Sequence, residues 1–236
     1  MALLYRLIVY ILLCLLSSSG LHAITASVII PCYHAHFHYL EKLLDHLSKQ
    51  TVLPHEVVIS LSESHKVAAT DIEKLIKTPY PFPVILLPTE RQLTSGANRN
   101  IASERASGDI FIYQDADDIP HPQRVETISH FLEKYHVPIV LHAWQVDTVD
   151  HNITWQQNDK NNLKFYIVRR WAELDNFKTP VTCGNCAIRR ETFRTVRWPD
   201  RHGGEDTGFN QQVLEIYTLM LIIDTSLLAY GTHYVY

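Results

Sequence analysis

The sequence predicts an α/β fold in which helices cover both faces of a mixed, mainly parallel sheet. Residues 27–30 form a run that is continuously apolar after Ser27, without alternation, which is typical of a strand buried on both faces. Apolar runs of this kind alternate with amphipathic segments along the chain, and the connections are short. With 236 residues and 46% hydrophobic content, the chain suits one domain with a sizeable core.

The first helix is predicted by four leucines at i, i+3, i+4 and i+7. These are Leu40, Leu43, Leu44 and Leu47. Burying four leucines contributes about 6 to 12 kcal/mol before entropy, so the sheet holds this helix in place. A strand at residues 56–61, a helix at 69–77 and a strand at 83–87 complete the order βαβαβ.

Further elements follow in the same alternation. Thr94 or Ser95 caps a helix that runs to residue 106, and a strand at residues 109–113 comes next. Pro120 and Pro122 are expected to open a helix that ends at residue 135. A strand-like apolar run occupies residues 220–224.

The strand at residues 109–113 ends in three carboxylates, those of Asp115, Asp117 and Asp118. Like charges this close repel one another, and a divalent cation would offset the repulsion. In an extended segment Asp115 and Asp117 share one face, so both reach the same ion while Asp118 points elsewhere. The alternative is an acidic turn, where aspartate bonds its own backbone.

Residues 1–26 are expected to be a signal peptide or a signal anchor, and residues 27–236 the domain itself. Arg6 precedes an apolar run at residues 7–16, and small residues follow up to Ala23. Residues 7–26 contain no charged side chain and could just span a bilayer. We therefore expect the secretory pathway or a membrane-associated location in preference to a cytoplasmic one, with cleavage and anchoring both open.

Composition excludes some classes of function. A formal net charge of −4 leaves no basic face for a phosphate backbone, so we expect no nucleic-acid partner. The 14 histidines are scattered and the 4 cysteines lack paired CxxC spacing, so no zinc site is expected. Cys183 and Cys186 form either a small disulfide loop or two buried thiols.

In open sheets of this class, ligands bind beyond the carboxyl ends of the parallel strands. The segments at residues 31–33, 60–64 and 115–118 all lie at such ends. A ligand that bridges them and needs a cation is most simply a nucleotide diphosphate. Gly96 alone resembles a phosphate loop, but it lies in no Walker or Rossmann fingerprint.

Three segments together, SVIIPCY, GANRNIASERASGDIFIYQDADD and GGEDTGF, resemble the family 2 glycosyltransferases of the GT-A, Rossmann-like fold. The resemblance covers most of residues 27–236. It implies an inverting transfer of a sugar from a nucleotide-diphosphate sugar, with a UDP-sugar favoured, to a hydroxyl of a glycan, lipid or protein. A sugar-phosphate nucleotidyltransferase and a catalytically inactive sugar-binding relative are the alternatives.

The resemblance also implies roles for individual residues. Those near the nucleotide are Pro31, Tyr33, Arg99, Asn100 and Asp115. Those implied to bind a divalent cation, Mn²⁺ or Mg²⁺, are Asp117, Asp115 and His233. Asp206, which follows Glu205, is implied to be the catalytic base.

The residues themselves agree with a catalytic pair at Glu205 and Asp206. Gly203 and Gly204 let the backbone pass close to a ligand, and acids at a helix N-terminus favour its dipole. The alternative is that both acids only cap the helix. Residues 57–64 depart from the family's Asp-Asp-Gly-Ser turn, so Glu63 or Ser62 is expected to accept from a base N–H.

Overall fold

The computed structural model describes residues 23–146, 153–176 and 183–230. Nine strands of these residues form a single sheet, with the order β3-β2-β1-β4-β8-β6-β9-β5 and β7 paired to β9. The strands are β1 (Ala26–Tyr33), β2 (Glu56–Ser62), β3 (Val84–Pro88), β4 (Ile110–Tyr113), β5 (Ile119–Pro120), β6 (Ile139–Val146), β7 (Phe165–Val168), β8 (Cys186–Arg189) and β9 (Met220–Tyr230).

Six α-helices connect and cover these strands. They are α1 (Leu40–Ser48), α2 (Ala69–Lys77), α3 (Ser95–Arg105), α4 (Arg124–Tyr135), α5 (Arg190–Thr195) and α6 (Glu205–Tyr217). Short 3₁₀ helices span His34–Tyr39, Ser64–Lys66, Trp171–Asn176 and Cys183–Asn185.

The sheet is mixed and mostly parallel, as predicted. β3, β2, β1 and β4 pair in parallel, and β8 then enters antiparallel between β4 and β6. β9 pairs in parallel with β6, so both run in the direction of β4. The short strands β5 and β7 pair antiparallel with β9.

Two hydrophobic clusters lie on opposite faces of the sheet. Successive side chains of β1 alternate between them, with Val28 and Ile30 in one and Ile29 in the other. Helices α1, α2 and α4 cover the first face, whereas α3, α5 and α6 cover the second. The four leucines of α1 are all buried, which confirms the predicted helix.

Some element boundaries differ from the predicted ones. The helix expected to open at Pro120 begins at Arg124, because Pro120 pairs with Leu228 in the short strand β5. Strand β9 continues beyond residue 224 to Tyr230. Phe209, Val213 and Ile216 follow one another at helical spacing in α6; the first two are buried, whereas Ile216 has 55% of its surface exposed.

The end of the predicted leader joins the sheet. The backbone N–H and the hydroxyl of Thr25 both donate to the carboxylate of Asp109, at 2.9 and 2.7 Å. Residues 1–22, the rest of the leader, lie outside the described part of the chain. Among the described helices, none combines the length and the apolarity that a bilayer crossing requires. Cys186 is a buried free thiol, and the side chain of Cys183 is outside the described set.

Candidate functional site

A cleft of about 470 Å³ lies at the carboxyl ends of the central strands. Its walls come from the end of β1, the residue after β2, the start of α3, the loop after β4 and the start of α6. The predicted site residues that line it are Pro31, Tyr33, Glu63, Arg99, Asp115, Asp117, Glu205 and Asp206. Segments that are distant in sequence therefore meet at the predicted rim of the sheet.

Arg99 joins the two groups of acids across the cleft. Its Nη2 lies 2.6 Å from Oδ1 of Asp115, and its Nη1 lies 3.3 Å from Oε1 of Glu205. The guanidinium is almost fully buried, with 3% of the Arg99 side chain exposed. A charge buried to this extent requires opposite charges or hydrogen bonds, and both carboxylates supply them.

Trp198 supports the guanidinium from below. The centre of the guanidinium lies 4.8 Å from the Trp198 ring centroid. The same ring stacks on Phe209 of α6 at 4.0 Å and meets Tyr113 of β4 edge-on at 4.7 Å. This aromatic packing fixes the start of α6 relative to the end of β4.

Asp206 faces the cleft from the first turn of α6. Gly204 is the N-cap in a left-handed conformation, with φ of 68°, and Asp206 accepts a 2.7 Å hydrogen bond from the N–H of Thr207. Burial raises the pKa of Asp206; the Thr207 N–H lowers it, and the adjacent Glu205 charge raises it further. The net shift is upward, which makes the Asp206 carboxylate a stronger base than an ordinary aspartate.

Asp117 lies in the loop after β4, close to the residues that end and follow β1. His36 Nδ1 is 4.0 Å from its Oδ2, and only 11% of the Asp117 side chain is exposed. Burial, together with the smaller effect of the Asp117 charge, raises the pKa of the neighbouring Cys32 thiol to about 12. Cys32 is therefore a neutral part of the wall.

Asp118 differs from the other two acids of the cluster. It is 2% exposed and is not among the residues that line the cleft. The buried guanidinium of Arg124 interacts electrostatically with it. The structure thus separates Asp118 from Asp115 and Asp117, but it does so in a turn and not in the extended segment that was expected, because the N–H of Asp118 donates to the carbonyl of Asp115 at 3.3 Å.

Tyr33 and Glu63 also line the cleft. Tyr33 has 40% of its surface exposed, enough to offer a ring face to a ligand. Glu63 has a φ of 53°, a conformation that glycine adopts more readily. Lys66 Nζ lies 2.5 Å and His34 Nδ1 3.2 Å from its carboxylate, and the Lys66 hydrogen bond lowers the pKa of Glu63.

The structure does not bring Asn100 into the cleft. Its amide donates to the carbonyl of Trp198 at 2.9 Å and accepts from the N–H of Trp198 at 3.0 Å, which ties α3 to the chain before α6. Asn98 lines the cleft instead, with the hydroxyl of Ser60 donating to it at 2.8 Å. Helical spacing distinguishes the two asparagines, because Asn98 lies on the same face of α3 as the buried Ala102 whereas Asn100 does not.

The predicted metal ligand His233 lies outside the described residues. In the ranges that the structure describes, no three His, Cys, Asp or Glu side chains converge as a preformed metal site. Asp115 and Asp117 both face the cleft, and their oxygens are donors that Mg²⁺ and Mn²⁺ prefer. The remaining positions around a cation would fall to a ligand and water.

Sequence reasoning missed His36 and Arg124. His36 lies in a 3₁₀ helix directly after β1, where residues 34, 36 and 38 are all histidine. Arg124 is fully buried, and its guanidinium interacts electrostatically with Asp118 and Asp115. Little in the sequence signalled the burial of Arg124, because Gln123 precedes it and arginine is rarely buried unless paired.

Known proteins share this fold and sequence pattern. TarS of S. aureus, in its crystal structures with UDP and with UDP-GlcNAc, superposes with TM-scores of 0.66 and 0.65 over 89% of this chain, which matches 61% and 59% of those chains. Both are 15% identical to this chain, so the likeness shows the fold alone. The predicted GT-A class is thereby confirmed.

Two relatives are closer in sequence. The amylovoran biosynthesis glycosyltransferase AmsE of Erwinia amylovora is 30% identical over 129 residues, which are 53% of this chain and 44% of AmsE. An uncharacterized glycosyltransferase of Methanocaldococcus jannaschii is 29% identical over 126 residues, 53% of this chain and 43% of its own length. The match to each thus covers less than half of that relative.

The family model for glycosyl transferase family 2 matches residues 27–197, from the first strand to the residue before Trp198. This span contains the end of β1, the start of α3 and the carboxylates after β4. It covers well over half of the chain, and the chain therefore belongs to glycosyl transferase family 2.

Proposed function

We propose that this protein transfers a sugar from a nucleotide-diphosphate sugar to an acceptor hydroxyl, with inversion at the anomeric carbon and with a divalent cation. One observation carries the proposal: two pairs of acids from distant segments face one cleft and are joined by one arginine. The pairs are Asp115 with Asp117 and Glu205 with Asp206. Asp115 and Asp117 suit the leaving group, whereas Glu205 and Asp206 suit the acceptor.

The part of the cleft near Tyr33 and Glu63 suits the nucleotide base. The exposed ring of Tyr33 can stack on a base, and the carboxylate of Glu63 can accept from a base N–H. Asp115, which lines the same cleft beside Arg99, suits the ribose hydroxyls. A UDP-sugar is favoured, because the fold neighbour TarS is known with UDP and with UDP-GlcNAc.

Asp117 and Asp115 would hold the cation, Mn²⁺ or Mg²⁺. Two carboxylates suffice, because such ions keep several positions for substrate phosphates and water. Bound there, the cation would stabilise the negative charge that develops on the diphosphate, so no protonated side chain is needed on that side. His233 is proposed as a further ligand.

Asp206 would act as the general base. The acceptor hydroxyl gives its proton to the Asp206 carboxylate while its oxygen forms a bond to the anomeric carbon. The bond between that carbon and the diphosphate oxygen breaks, and its electron pair leaves with the nucleoside diphosphate. Attack from the side opposite the leaving group inverts the configuration. Glu205, held by Arg99, raises the pKa of Asp206 and thereby its basicity.

The acceptor is proposed to be a glycan, lipid or protein hydroxyl, met through membrane association of residues 7–26. Expression of the full chain followed by carbonate extraction of membranes tests the association. Recovery of the unaltered chain in the soluble fraction would contradict this membrane association.

A panel of nucleotide sugars tests the class of reaction. The full chain is incubated with each donor and Mn²⁺, and release of the nucleoside diphosphate is followed with and without EDTA. Metal-dependent release from one donor supports the proposal. Release of pyrophosphate from a nucleoside triphosphate and a sugar phosphate would favour a nucleotidyltransferase, and thermal stabilisation by donors without turnover would favour an inactive sugar-binding relative.

A further inference from the structure

We propose that Arg124 is a positioning residue for the acid turn, residues 114–118, and that it acts on this turn through Gln114. The inference rests on the proposed function, in which the acid turn holds the cation and the donor. Arg124 lies below the cleft and is not among the residues that line it. Its effect on the donor would therefore be indirect.

Arg124 is fixed by four hydrogen bonds in the protein interior. The side chain is 1% exposed, although it begins helix α4. Nη2 donates to the carbonyls of Tyr113 and Gly184 at 2.8 and 2.7 Å, and Nη1 donates to Oε1 of Gln114 at 3.0 Å. Nε donates to His142 at 3.1 Å. The guanidinium thus ties the end of β4 to the loop before β8.

Gln114 connects Arg124 to the acid turn through hydrogen bonds. Its Oε1 accepts from Arg124, while its Nε2 donates to the carbonyls of Asp115 and Asp118 at 3.0 and 3.2 Å. The turn itself is closed by the N–H of Asp118, which donates to the carbonyl of Asp115 at 3.3 Å. One fully buried amide therefore holds both ends of the segment that carries Asp117.

Gly184, whose carbonyl also accepts a hydrogen bond from Arg124, packs against the carboxylates of Asp118 and Asp115. A methyl group on its Cα would lie 2.8 Å from Oδ2 of Asp118 and 3.2 Å from Oδ2 of Asp115. A shift of Gly184 would therefore push directly on both acids. Arg124 therefore fixes the acid turn through two contacts, one with the side chain of Gln114 and one with the carbonyl of Gly184.

Arginine suits this position better than lysine because its planar fork reaches acceptors in several fixed directions. The four acceptors are uncharged: two carbonyls, an amide oxygen and an imidazole nitrogen. The Nδ1 of that imidazole, on His142, lies 2.8 Å from the carbonyl of Ala143, which leaves Nε2 as the acceptor for Arg124. Burial lowers the pKa of Arg124 to about 10, so the guanidinium remains charged at neutral pH.

Substitutions that conserve charge separate position from electrostatics. Arg124→Lys keeps the positive charge but loses the fork, and Gln114→Met keeps the volume and removes the relay. Arg190→Lys is the matched control, because Nε of Arg190 donates to the carbonyl of Gly108 at the opposite end of β4. None of the three changes the net charge, so a change in affinity cannot be due to altered electrostatic attraction of the cation.

Two measurements are made on the full chain. Hydrogen exchange without any ligand reports the opening of the acid turn at the Asp118 amide. Calorimetry with UDP, in Mn²⁺ and in EDTA, gives the metal-dependent part of the affinity. We expect Arg124→Lys and Gln114→Met to speed the exchange and to weaken binding in Mn²⁺ about 10-fold or more, with a smaller loss of binding in EDTA, where only the ribose contact of Asp115 is affected.

The combined variant tests the relay. If Arg124 acts through Gln114, the two losses are less than additive in Arg124→Lys/Gln114→Met. Unchanged exchange and affinity in both single variants, an equal loss in Arg190→Lys, or full additivity would each overturn the inference. If Arg124→Lys does not fold, Gln114→Met alone decides by the same criteria.

The proposed function fails separately. A wild-type chain whose affinity for UDP is the same in Mn²⁺ and in EDTA would contradict the metal-dependent donor site. The exchange measurement on the ligand-free chain still decides whether Arg124 and Gln114 hold the turn.

Discussion

Asp115 and Glu205 lie on either side of one guanidinium, that of Arg99, at 2.6 and 3.3 Å from its two terminal nitrogens. They are ninety positions apart in the sequence. Asp115 follows β4 beside the proposed cation, and Glu205 precedes the proposed base. Arg99 therefore links the leaving-group side of the cleft to the acceptor side, and its loss should disturb both.

Arg99→Met should strongly destabilise the protein. Removing one partner of a buried ion pair leaves an uncompensated charge and costs about 3 to 5 kcal/mol; we expect the lower end, because Asp115 is 27% exposed. Urea unfolding measures the loss. Lys74→Met, which breaks an exposed pair with Glu41, is the control and should change the free energy of unfolding little.

A second substitution checks the cause of this loss. In Arg99→Met/Glu205→Gln the glutamine no longer carries a charge, so part of the stability should return. A double variant as unstable as the sum of the single changes would show that Arg99 contributes by packing on Trp198 and not by pairing with Glu205.

Asp206→Asn should abolish transfer and spare donor binding. Loss of a general base typically lowers the rate by about 10² to 10⁴-fold. In the wild type, kcat/KM should fall as the pH drops through the raised pKa of Asp206, at a higher pH than an ordinary aspartate would give. Asp206→Asn turning over donor and acceptor at the wild-type rate would rule out this base.

The same raised pKa has a consequence for stability. Asp206 binds its proton more tightly in the folded chain than in the unfolded chain, so its ionised form opposes folding above both pKa values. At pH 7 Asp206→Asn should therefore be more stable than the wild type, since the asparagine oxygen can still accept from Thr207. The difference should vanish below about pH 4, the ordinary aspartate pKa. A variant less stable than the wild type at pH 7 would contradict the sign.

Asp117→Asn should weaken only the metal-dependent binding of UDP. An amide is a poorer ligand for Mn²⁺ than a carboxylate, and it removes one negative charge from the site. Calorimetry in Mn²⁺ and in EDTA measures the difference. Asp45→Asn, at an exposed carboxylate of α1 that pairs with Lys49, is the control and should match the wild type in both.

Local sequence patterns predicted the helices, the strands and the position of the cleft at the carboxyl ends of the strands. They could do so because the periods of helices and strands are visible in consecutive residues. The leucine stripe of α1 and the two acids two apart after β4 are of this kind. Strand β8, which inserts antiparallel between β4 and β6, depends on pairing between distant segments that no local period encodes. The start of α4 was misplaced for the same reason, because Pro120 pairs with Leu228 of β9.

The side chains of the site were predictable in part. Motif spacing located Asp115 and Asp206, but it could not show that one arginine joins Asp115 to Glu205. Asn98 was overlooked in favour of Asn100 because a motif carries no direction of the side chain, whereas the helical face does. Arg124 was overlooked because its four acceptors come from three separate segments.

Gly96→Ala provides a test in which helix propensity and packing predict opposite signs. Alanine favours a helix over glycine by up to about 1 kcal/mol, so propensity alone predicts a more stable α3. A Cβ on Gly96 would, however, overlap the backbone carbonyl of Pro199, which cannot rotate away. Overpacking of this kind costs about 1 to 3 kcal/mol, and we expect Gly96→Ala to be less stable than the wild type in urea.

Gly208→Ala is the matched control in α6. There the new Cβ would lie 2.7 Å from Nη2 of Arg201, the far end of a flexible side chain that can move. We expect a much smaller change than in Gly96→Ala. Equal changes in the free energy of unfolding of the two variants would mean that helix propensity, and not the contact of residue 96 with the Pro199 carbonyl, determines the effect of Gly96→Ala. Gly96→Ala should also weaken UDP binding, because the Thr94 hydroxyl donates to Asp200 at 2.7 Å and thereby joins the start of α3 to the loop before Glu205.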